Sequence, residues 1–429
     1  MSVLVTDASG NHALAVVRSL GRRGIRVAAA DSAWWAKSFF SRYCARRALH
    51  PSPAGGVDAF VSGLCRILDE VRPMMLMPMT ERTILALMVR REEIESRVAL
   101  APLPAPEALS VVFDKHATIE LATSLGVPVP KTLRLSGLED LDRLRSEISF
   151  PAVIKPRRSE IWTADDRIVP GGPVEYCFSA EELEAKYLAV HRRAPLPLIQ
   201  EFIPGEGYGV SVLYRRGRLK ALFAHRRLRM IRPTGSGSSL RESIAPPPAM
   251  VDAARALLDA LAWHGVAMVE FKLDARDGTP KLMEVNGRFW NSVPLAVAAG
   301  VDFPFLLYRL AVDGDVREHL EYRVGVQSRW LVGDVRHLVE VLGGKPRGWA
   351  DGFPSRWRTL RDFMKFFGRD MHYDEFWLSD PLPLFADFAD FFFRQVPQRL
   401  VPRRPTAVEE KPACEFAPSR MGGPCGFSG

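Results

Sequence analysis

Hydrophobic and polar positions change period along the chain. Val3-Leu4-Val5 is a short apolar run, and Asp7-Ala8-Ser9-Gly10-Asn11 behind it carries turn chemistry. His12 to Arg23 repeats its apolar residues at helical spacing, Gly24 ends it, and Ile25 to Ala30 is a second strand closing at Asp31. Strand, helix and strand in that order open a doubly wound α/β unit. The helix-like stretch Asp58 to Val71 leads to a strand from Met74 to Met77. After it, Pro78-Met79-Thr80-Glu81 offers Thr80 as the cap of the next helix. A third repeat ends near Leu103, where Pro102, Pro104 and Pro106 mark a linker.

From about residue 107 the pattern differs. Val112 to Ser124 reads as a helix, broken by Gly126-Val127-Pro128-Val129-Pro130. Pro151-Ala152-Val153-Ile154-Lys155-Pro156 is a short apolar strand ending on a lysine. Strands are expected at Leu198 to Ile203, Gly209 to Tyr214, Leu219 to His225, Gly265 to Leu273 and Lys281 to Val285, and a helix from Ala249 to Ala262. Arg216-Gly217 suits an antiparallel hairpin turn. Beyond about residue 316 Trp and Phe are frequent, and the last thirty or so residues, with Pro402, Pro405, Pro412, Gly422 and Gly423, read as a loose tail.

Composition narrows the classes. With 429 residues, 47% hydrophobic and 25% charged, the chain is globular in type, which excludes collagen and a disulfide-stapled miniprotein. No run of about 18 uncharged apolar residues exists, so a membrane-spanning helix is not expected. The first residues read as a buried strand and not a secretion signal, which gives a cytoplasmic expectation. Cys44, Cys65, Cys177, Cys414 and Cys425 are odd in number and form no CxxC pair, so reduced thiols are expected. The net charge of +8 comes mostly from arginine, and no concentrated basic tract stands in the body of the chain. Nucleic acid is therefore not an expected partner.

The chemistry gathers on two strands. Val269-Glu270-Phe271-Lys272-Leu273 and Leu282-Met283-Glu284-Val285-Asn286-Gly287-Arg288 can pair so that Glu270 stands beside Glu284 and Asn286. Glu284 and Asn286 are two apart and share a face. Two carboxylates and an amide oxygen suit Mg²⁺ that keeps water and nucleotide phosphates as its other ligands. The bland alternative is a solvated strand carboxylate, but Met283 and Val285 beside Glu284 imply that the opposite face is core. Lys155 alone also suits a snorkelling strand end. Asp31 invites a dinucleotide reading, yet only Gly10 stands where G-x-G-x-x-G is needed. His12, His116 and His264 lack metal-ligand spacing and read as structural. Ser9, Ser159 and the cysteines form no nucleophile pattern.

Three features stand in order: Val111-Val112-Phe113-Asp114-Lys115, then Ile154-Lys155-Pro156, then the acid strands. Over about residues 1–310 this set resembles the ATP-grasp superfamily of ATP-dependent carboxylate–amine and carboxylate–thiol ligases. Gln200-Glu201-Phe202-Ile203-Pro204-Gly205-Glu206-Gly207, Arg226-Arg227-Leu228-Arg229 and Leu240-Arg241-Glu242-Ser243 are similar to an uncharacterised carboxylate–amine ligase branch. The expected fold is α/β and α+β: a Rossmann-like parallel-sheet domain over 1–105, then a two-lobed ATP-grasp domain over 106–315. Its small lobe would span about 116–195 and its larger acid-strand lobe about 196–315. A helical, aromatic-rich C-terminal extension over 316–400 and a disordered tail over 401–429 would follow.

The resemblance also implies roles. Lys115 and Lys155 would hold the α/β-phosphates, and Gln200, Glu201 and Ile203 would form the hinge that binds adenine. Glu270, Glu284 and Asn286 would hold Mg²⁺, one ion or two, with Mn²⁺ as a substitute. Arg288, with Lys155, would be catalytic, stabilising the transferred phosphoryl or the acyl phosphate. The ribose-binding acid of the family falls nearest Gly207 in register, which leaves Glu206 as its substitute. The loop Pro156-Arg157-Arg158-Ser159-Glu160-Ile161-Trp162 departs from the family's glycine-rich run. Gly171-Gly172, or arginine contacts, would have to replace it.

The implied reaction is ATP + carboxylate + amine → amide + ADP + phosphate, with small-molecule carboxylate and amine as partners. Thr80 and Glu81, at a strand's carboxyl end, are candidates for substrate contact. A positive cleft would favour acidic substrates such as amino acids or a sugar acid. The rivals are a catalytically inactive ATP-binding regulatory module and an ATP-grasp kinase acting on a hydroxyl. Arg226, Arg227 and Arg229 are either a solvated face or contacts to an anion. Residues 384–404, aromatic and then basic, read as a helix packed on the body, as a homodimer contact, or as a peripheral membrane contact.

Overall fold

The computed structural model describes residues 2–395 apart from 236, 347, 350 and 351. The expected tail over 401–429, with Cys414 and Cys425, lies outside the described residues, as does the basic end of segment 384–404.

Five parallel strands form the first sheet, in the order Cys44–Leu49, Arg26–Asp31, Ser2–Val5, Met75–Met77, Ala99–Leu100. Val3, Leu4 and Val5 on the central strand are fully buried because both faces of the sheet are covered. The edge strand Cys44–Leu49 carries no apolar period, and its Arg46 and Arg47 are exposed, so nothing in its residues announces it. Asp31 is part of the first turn: its carboxylate accepts from the backbone N–H of Ser9 and of Ala33, each at 2.8 Å. Gly10 answers a local need, since a Cβ there would sit 2.4 Å from Cε1 of the His12 ring. Thr80 caps the helix Glu81–Val89, accepting from Thr83 N–H at 3.3 Å.

Two lobes follow, antiparallel except where Gln327–Arg329 pairs parallel with Met371–Tyr373. The small one has the strand order Glu175–Cys177, Ala152–Lys155, Leu198–Glu201, Thr132–Leu133, backed by the helix Ala180–His191. The large one has the order Pro280–Asn286, Gly265–Leu273, Gly207–Arg215, Arg218–Met230, Ser238–Ser243, Gln327–Arg329, Met371–Tyr373. The last two strands come from the C-terminal region, which is helical as expected and also extends this sheet. The helix expected over Val112 to Ser124 is two helices, Pro106–Phe113 and Lys115–Ser124. Asp114 breaks them and caps the second, accepting from His116 N–H at 3.0 Å.

The large sheet buries both faces. Val210, Val212 and Tyr214 pack with the helix Pro248–Ala260, whereas Leu213 shares a core with the helices Asn11–Gly21 and Phe303–Asp313. That alternation fixes the register of the acid strands beside it. The helix Leu382–Asp390 packs on the body: Asp387 pairs with buried Lys37 at 2.7 Å and accepts from Trp330 Nε1 at 2.7 Å. Phe385, Phe392 and Phe393 nearby stay exposed. Among the described residues no single helix is long and apolar enough to cross a membrane.

Candidate active site

Glu270 is the direct cross-strand partner of Glu284, and Met268 that of Asn286. The period of two places Glu270, Glu284 and Asn286 on one face, while Val269 and Val285 point into the core behind them. Asn286 Nδ2 donates to Oε1 of Glu270 at 3.2 Å and to Oε1 of Glu284 at 3.3 Å. The two acids are held differently. Burial raises the pKa of Glu270, with Arg227 opposing and Glu284 adding to the rise. Burial also acts to raise Glu284, but Lys115, Lys155, Arg227 and Arg288 outweigh it and hold that carboxyl below its ordinary value.

Lys155 ends its strand buried, and its pKa is lowered to about 8 by burial first and then by the charge of Lys115. Lys115 is the first residue of the helix that Asp114 caps, with Nζ donating to Ser159 Oγ at 2.9 Å. Both lysines line one cavity of about 380 Å³ between the lobes, together with Gln200, Glu201, Ile203, Glu270, Glu284, Asn286 and Arg288. On the strand Leu198–Glu201, Gln200 Nε2 donates to Thr132 Oγ1 at 2.7 Å, and Glu201 accepts from Lys131 N–H at 2.9 Å. Glu206 is not part of that lining; its carboxylate accepts from Tyr208 at 3.2 Å.

The run after Lys155 is a hairpin. Glu160–Trp162 pairs with Ile168–Pro170, and Trp162 and Ile168 enter the core of the parallel-sheet domain. Arg82 grips Glu160 at 2.9 and 3.1 Å. The loop's arginines turn to Asp114, Arg157 Nε at 2.8 Å and Arg158 at 3.7 Å. Gly171 packs on the same loop, its N–H donating to Ser159 C=O at 2.9 Å.

Several residues of the cleft carried no clear signal. The expected strand Leu219 to His225 runs on to Met230, which places Arg227 beside the acids, where it pairs with Glu270. Arg226 and Arg229 instead pair with Glu242 and Asp334. A strand-borne basic run after Gly207-x-Gly209 was the available cue. Lys272 lines the hinge side, donating to Ile203 C=O with Nζ 4.9 Å from the Phe202 ring centre, and burial lowers its pKa to about 8. His12, read as structural, touches the site's edge: its ring lies 2.8 Å from Asn291 Oδ1. Burial and then Arg288 lower its pKa to about 4.

The donors suit a hard divalent cation. Two carboxylates and an amide oxygen leave the remaining positions to phosphate and water. Among the described residues no group of three or more His, Cys, Asp or Glu gathers to hold a metal alone. A half-turn of the Asn286 amide brings Oδ1 where Nδ2 now faces the carboxylates.

Residues 193–333 match the family model described as ATP-grasp in the biosynthetic pathway with Ter operon. No curated protein sequence matches the chain. Among solved structures, the biotin carboxylase domain of 2-oxoglutarate carboxylase from Hydrogenobacter thermophilus, in complex with MgADP, ADP and bicarbonate, is 18% identical. The match covers 76% of this chain and 73% of that one, with a TM-score of 0.59. L-amino acid ligase from Bacillus licheniformis is 18% identical over 72% of this chain and 74% of that one, with a TM-score of 0.55. N5-carboxyaminoimidazole synthetase from Staphylococcus aureus, complexed with ADP, is 12% identical over 76% and 80%, with a TM-score of 0.58. The chain therefore has the ATP-grasp fold, set behind a Rossmann-like parallel-sheet domain.

Proposed function

We propose that this chain is an ATP-dependent ligase that joins a carboxylate to an amine through an acyl phosphate, releasing ADP and phosphate. One observation carries the reading: Glu270 faces Glu284 in register, with Asn286 on the same face, in a single cavity with Lys115, Lys155 and Arg288. The fold shared with an L-amino acid ligase and with a domain holding MgADP supports it.

In this reading adenine rests at Gln200, Glu201 and Ile203, and Lys115 and Lys155 meet the phosphates. Glu270, Glu284 and Asn286 would hold Mg²⁺, with Mn²⁺ as a substitute. The bound ion would neutralise charge on the β- and γ-phosphate oxygens. Arg227 pairs with Oε2 of Glu270, and Oε1 is the oxygen that faces Asn286. A carboxylate oxygen of the substrate then attacks the γ-phosphorus, the bond to the β,γ-bridging oxygen breaks, and ADP departs. Arg288 faces the transferred phosphoryl, where fixed positive charge is most effective. The amine attacks the acyl carbon, and phosphate leaves. The nucleotide unit would span 106–315, between 1–105 and 316–400. Free thiols at Cys44, Cys65 and Cys177 suit a cytoplasmic setting.

The test is ADP release screened against a library of carboxylates and amines, with product masses measured. A condensed product supports the ligase. A stable phosphorylated product supports a kinase, and tight ATP binding without turnover supports an inactive module.

A further inference from the structure

The helix Arg356–Phe363 has two unlike sides. Its inner side is anchored. Thr359 is buried, and Arg329, itself buried on the strand Gln327–Arg329, donates to the C=O of Phe363 at 2.7 Å and of Lys365 at 2.9 Å. The same guanidinium lies 5.1 and 5.0 Å from the ring centres of Phe363 and Phe366. A cation on the last carbonyls also suits the helix dipole, so the helix is held with one fixed side outward.

The outward side is apolar and left in water. Trp357, Leu360 and Met364 stand at i, i+3 and i+7, one stripe along the helix. Trp357 is 81% exposed, Met364 61%, and Phe367 just beyond them 97%. An exposed apolar stripe of this kind marks a contact surface. Its flanks are basic: Arg356, Arg358, Arg361, Lys365 and Arg369 are exposed, and Asp362 is the one acid between Ser355 and Arg369. Asp362 holds Lys365 at 2.8 Å and stands 3.6 and 3.8 Å from Arg361 and Arg358, so five cations against one acid leave the surface strongly positive. That charge chooses the occupant. In a two-fold contact with a second copy the patch would meet itself, cation against cation. An anionic bilayer accepts both features, since aromatic side chains settle at headgroup depth and Lys and Arg are drawn to lipid phosphate.

We propose that this face docks the protein on an anionic membrane surface, with Trp357, Met364 and Phe367 entering the headgroup layer and the flanking cations meeting lipid phosphates. The proposal goes beyond the ligase reading and does not depend on it. It also differs from the contact expected of segment 384–404, whose helix Leu382–Asp390 is tied to the body by Asp387.

The full chain is floated with vesicles of phosphatidylcholine alone and of equal parts phosphatidylcholine and phosphatidylglycerol, at low and at high salt. The wild type should bind the anionic vesicles about tenfold or more tightly than the neutral ones, and high salt should weaken that binding about tenfold. Trp357→Ser with Phe367→Ser keeps every charge and should weaken it about tenfold. Arg358→Glu with Arg361→Glu should erase the preference for anionic lipid. All four positions are exposed, so urea unfolding of both variants should match the wild type. Lipids brominated near the headgroup should quench wild-type tryptophan fluorescence, and Trp357→Phe should lose most of that quenching. The proposal is overturned if the wild type ignores anionic vesicles, binds neutral ones equally, or keeps its affinity when Trp357 and Phe367 are changed. It is overturned too if only Phe385→Ser with Phe393→Ser loses binding, or if this face forms a lipid-free dimer that Trp357→Ser disperses.

Discussion

The Arg227 guanidinium lies against the Glu270 carboxylate, reaching it across the strand Gly207–Arg215. Glycine makes the crossing possible: a Cβ on Gly207 would come within 3.0 Å of Arg227 Cδ. The same device clears His225, whose ring would lie 2.3 Å from a Cβ on Gly209. Glu270 is thus already serving a cation, on the side chain where the proposed metal would bind.

Arg227 and a divalent ion should therefore compete. Arg227→Met is expected to tighten Mn²⁺ binding in the absence of nucleotide by about tenfold, the low end of what a charge-assisted contact is worth. Electron paramagnetic resonance of free Mn²⁺ reads this directly. Unchanged affinity would mean that Arg227 is no competitor for Glu270.

Lys155 gives a pH dependence. Its pKa stands near 8, so it is charged below that value and neutral above it. MgATP affinity should fall as pH rises through about 8, since the lost charge is the one proposed to face phosphate. Lys155→Arg stays charged and should flatten that decline, whereas Lys155→Ala should bind weakly throughout, by about 1.5–3 kcal/mol. Lys272, also near 8 and lining the hinge, needs its own control, Lys272→Met. An equal slope in wild type and Lys155→Arg counts against the lysine's role.

Glu284→Gln keeps the side chain's shape and removes one negative charge. ATP should still bind, through the hinge and the lysines. Turnover should fall by about two orders of magnitude, near 2.7 kcal/mol, and added Mg²⁺ should restore part of it. ADP release measured across a Mg²⁺ series checks both points. A variant with wild-type turnover and wild-type Mg²⁺ dependence would return Glu284 to the status of an ordinary strand carboxylate.

What the residues announced, and what they did not, follows from range. Glu270, Glu284 and Asn286 were legible because a period of two fixes the face within two short strands. Lys155 was legible as a cation closing an apolar strand, and Thr80 as a cap three residues before its partner. The pairing of Arg227 with Glu270 was not, because it depends on which strand lies between them. The contact of His12 with Asn291 was not legible either, because 279 residues separate the two. The hairpin Glu160–Pro170 was hidden for the same reason: its apolar residues serve another domain's core.

Asp387 tests how the C-terminal helix is tied down. It pairs with Lys37 at 2.7 Å, both side chains being about 95% buried, and it accepts from Trp330. Asp387→Ala leaves a buried ammonium without its counter-ion and should cost about 3–5 kcal/mol in urea unfolding. The double change Asp387→Leu with Lys37→Met should recover most of that. A loss below about 1 kcal/mol in the single variant would mean that the pair is solvated and the helix held by its apolar contacts alone.

Oxygen-18 in the substrate carboxylate addresses the acyl phosphate itself. Once the screen finds a carboxylate and an amine that drive ADP release, the labelled carboxylate is turned over and the phosphate is analysed by mass. Attack on the γ-phosphorus followed by amine displacement transfers one labelled oxygen to each phosphate and leaves the other in the amide carbonyl. Unlabelled phosphate, or a phosphorylated hydroxyl beside a carboxylate that keeps both labels, would contradict the proposed reaction.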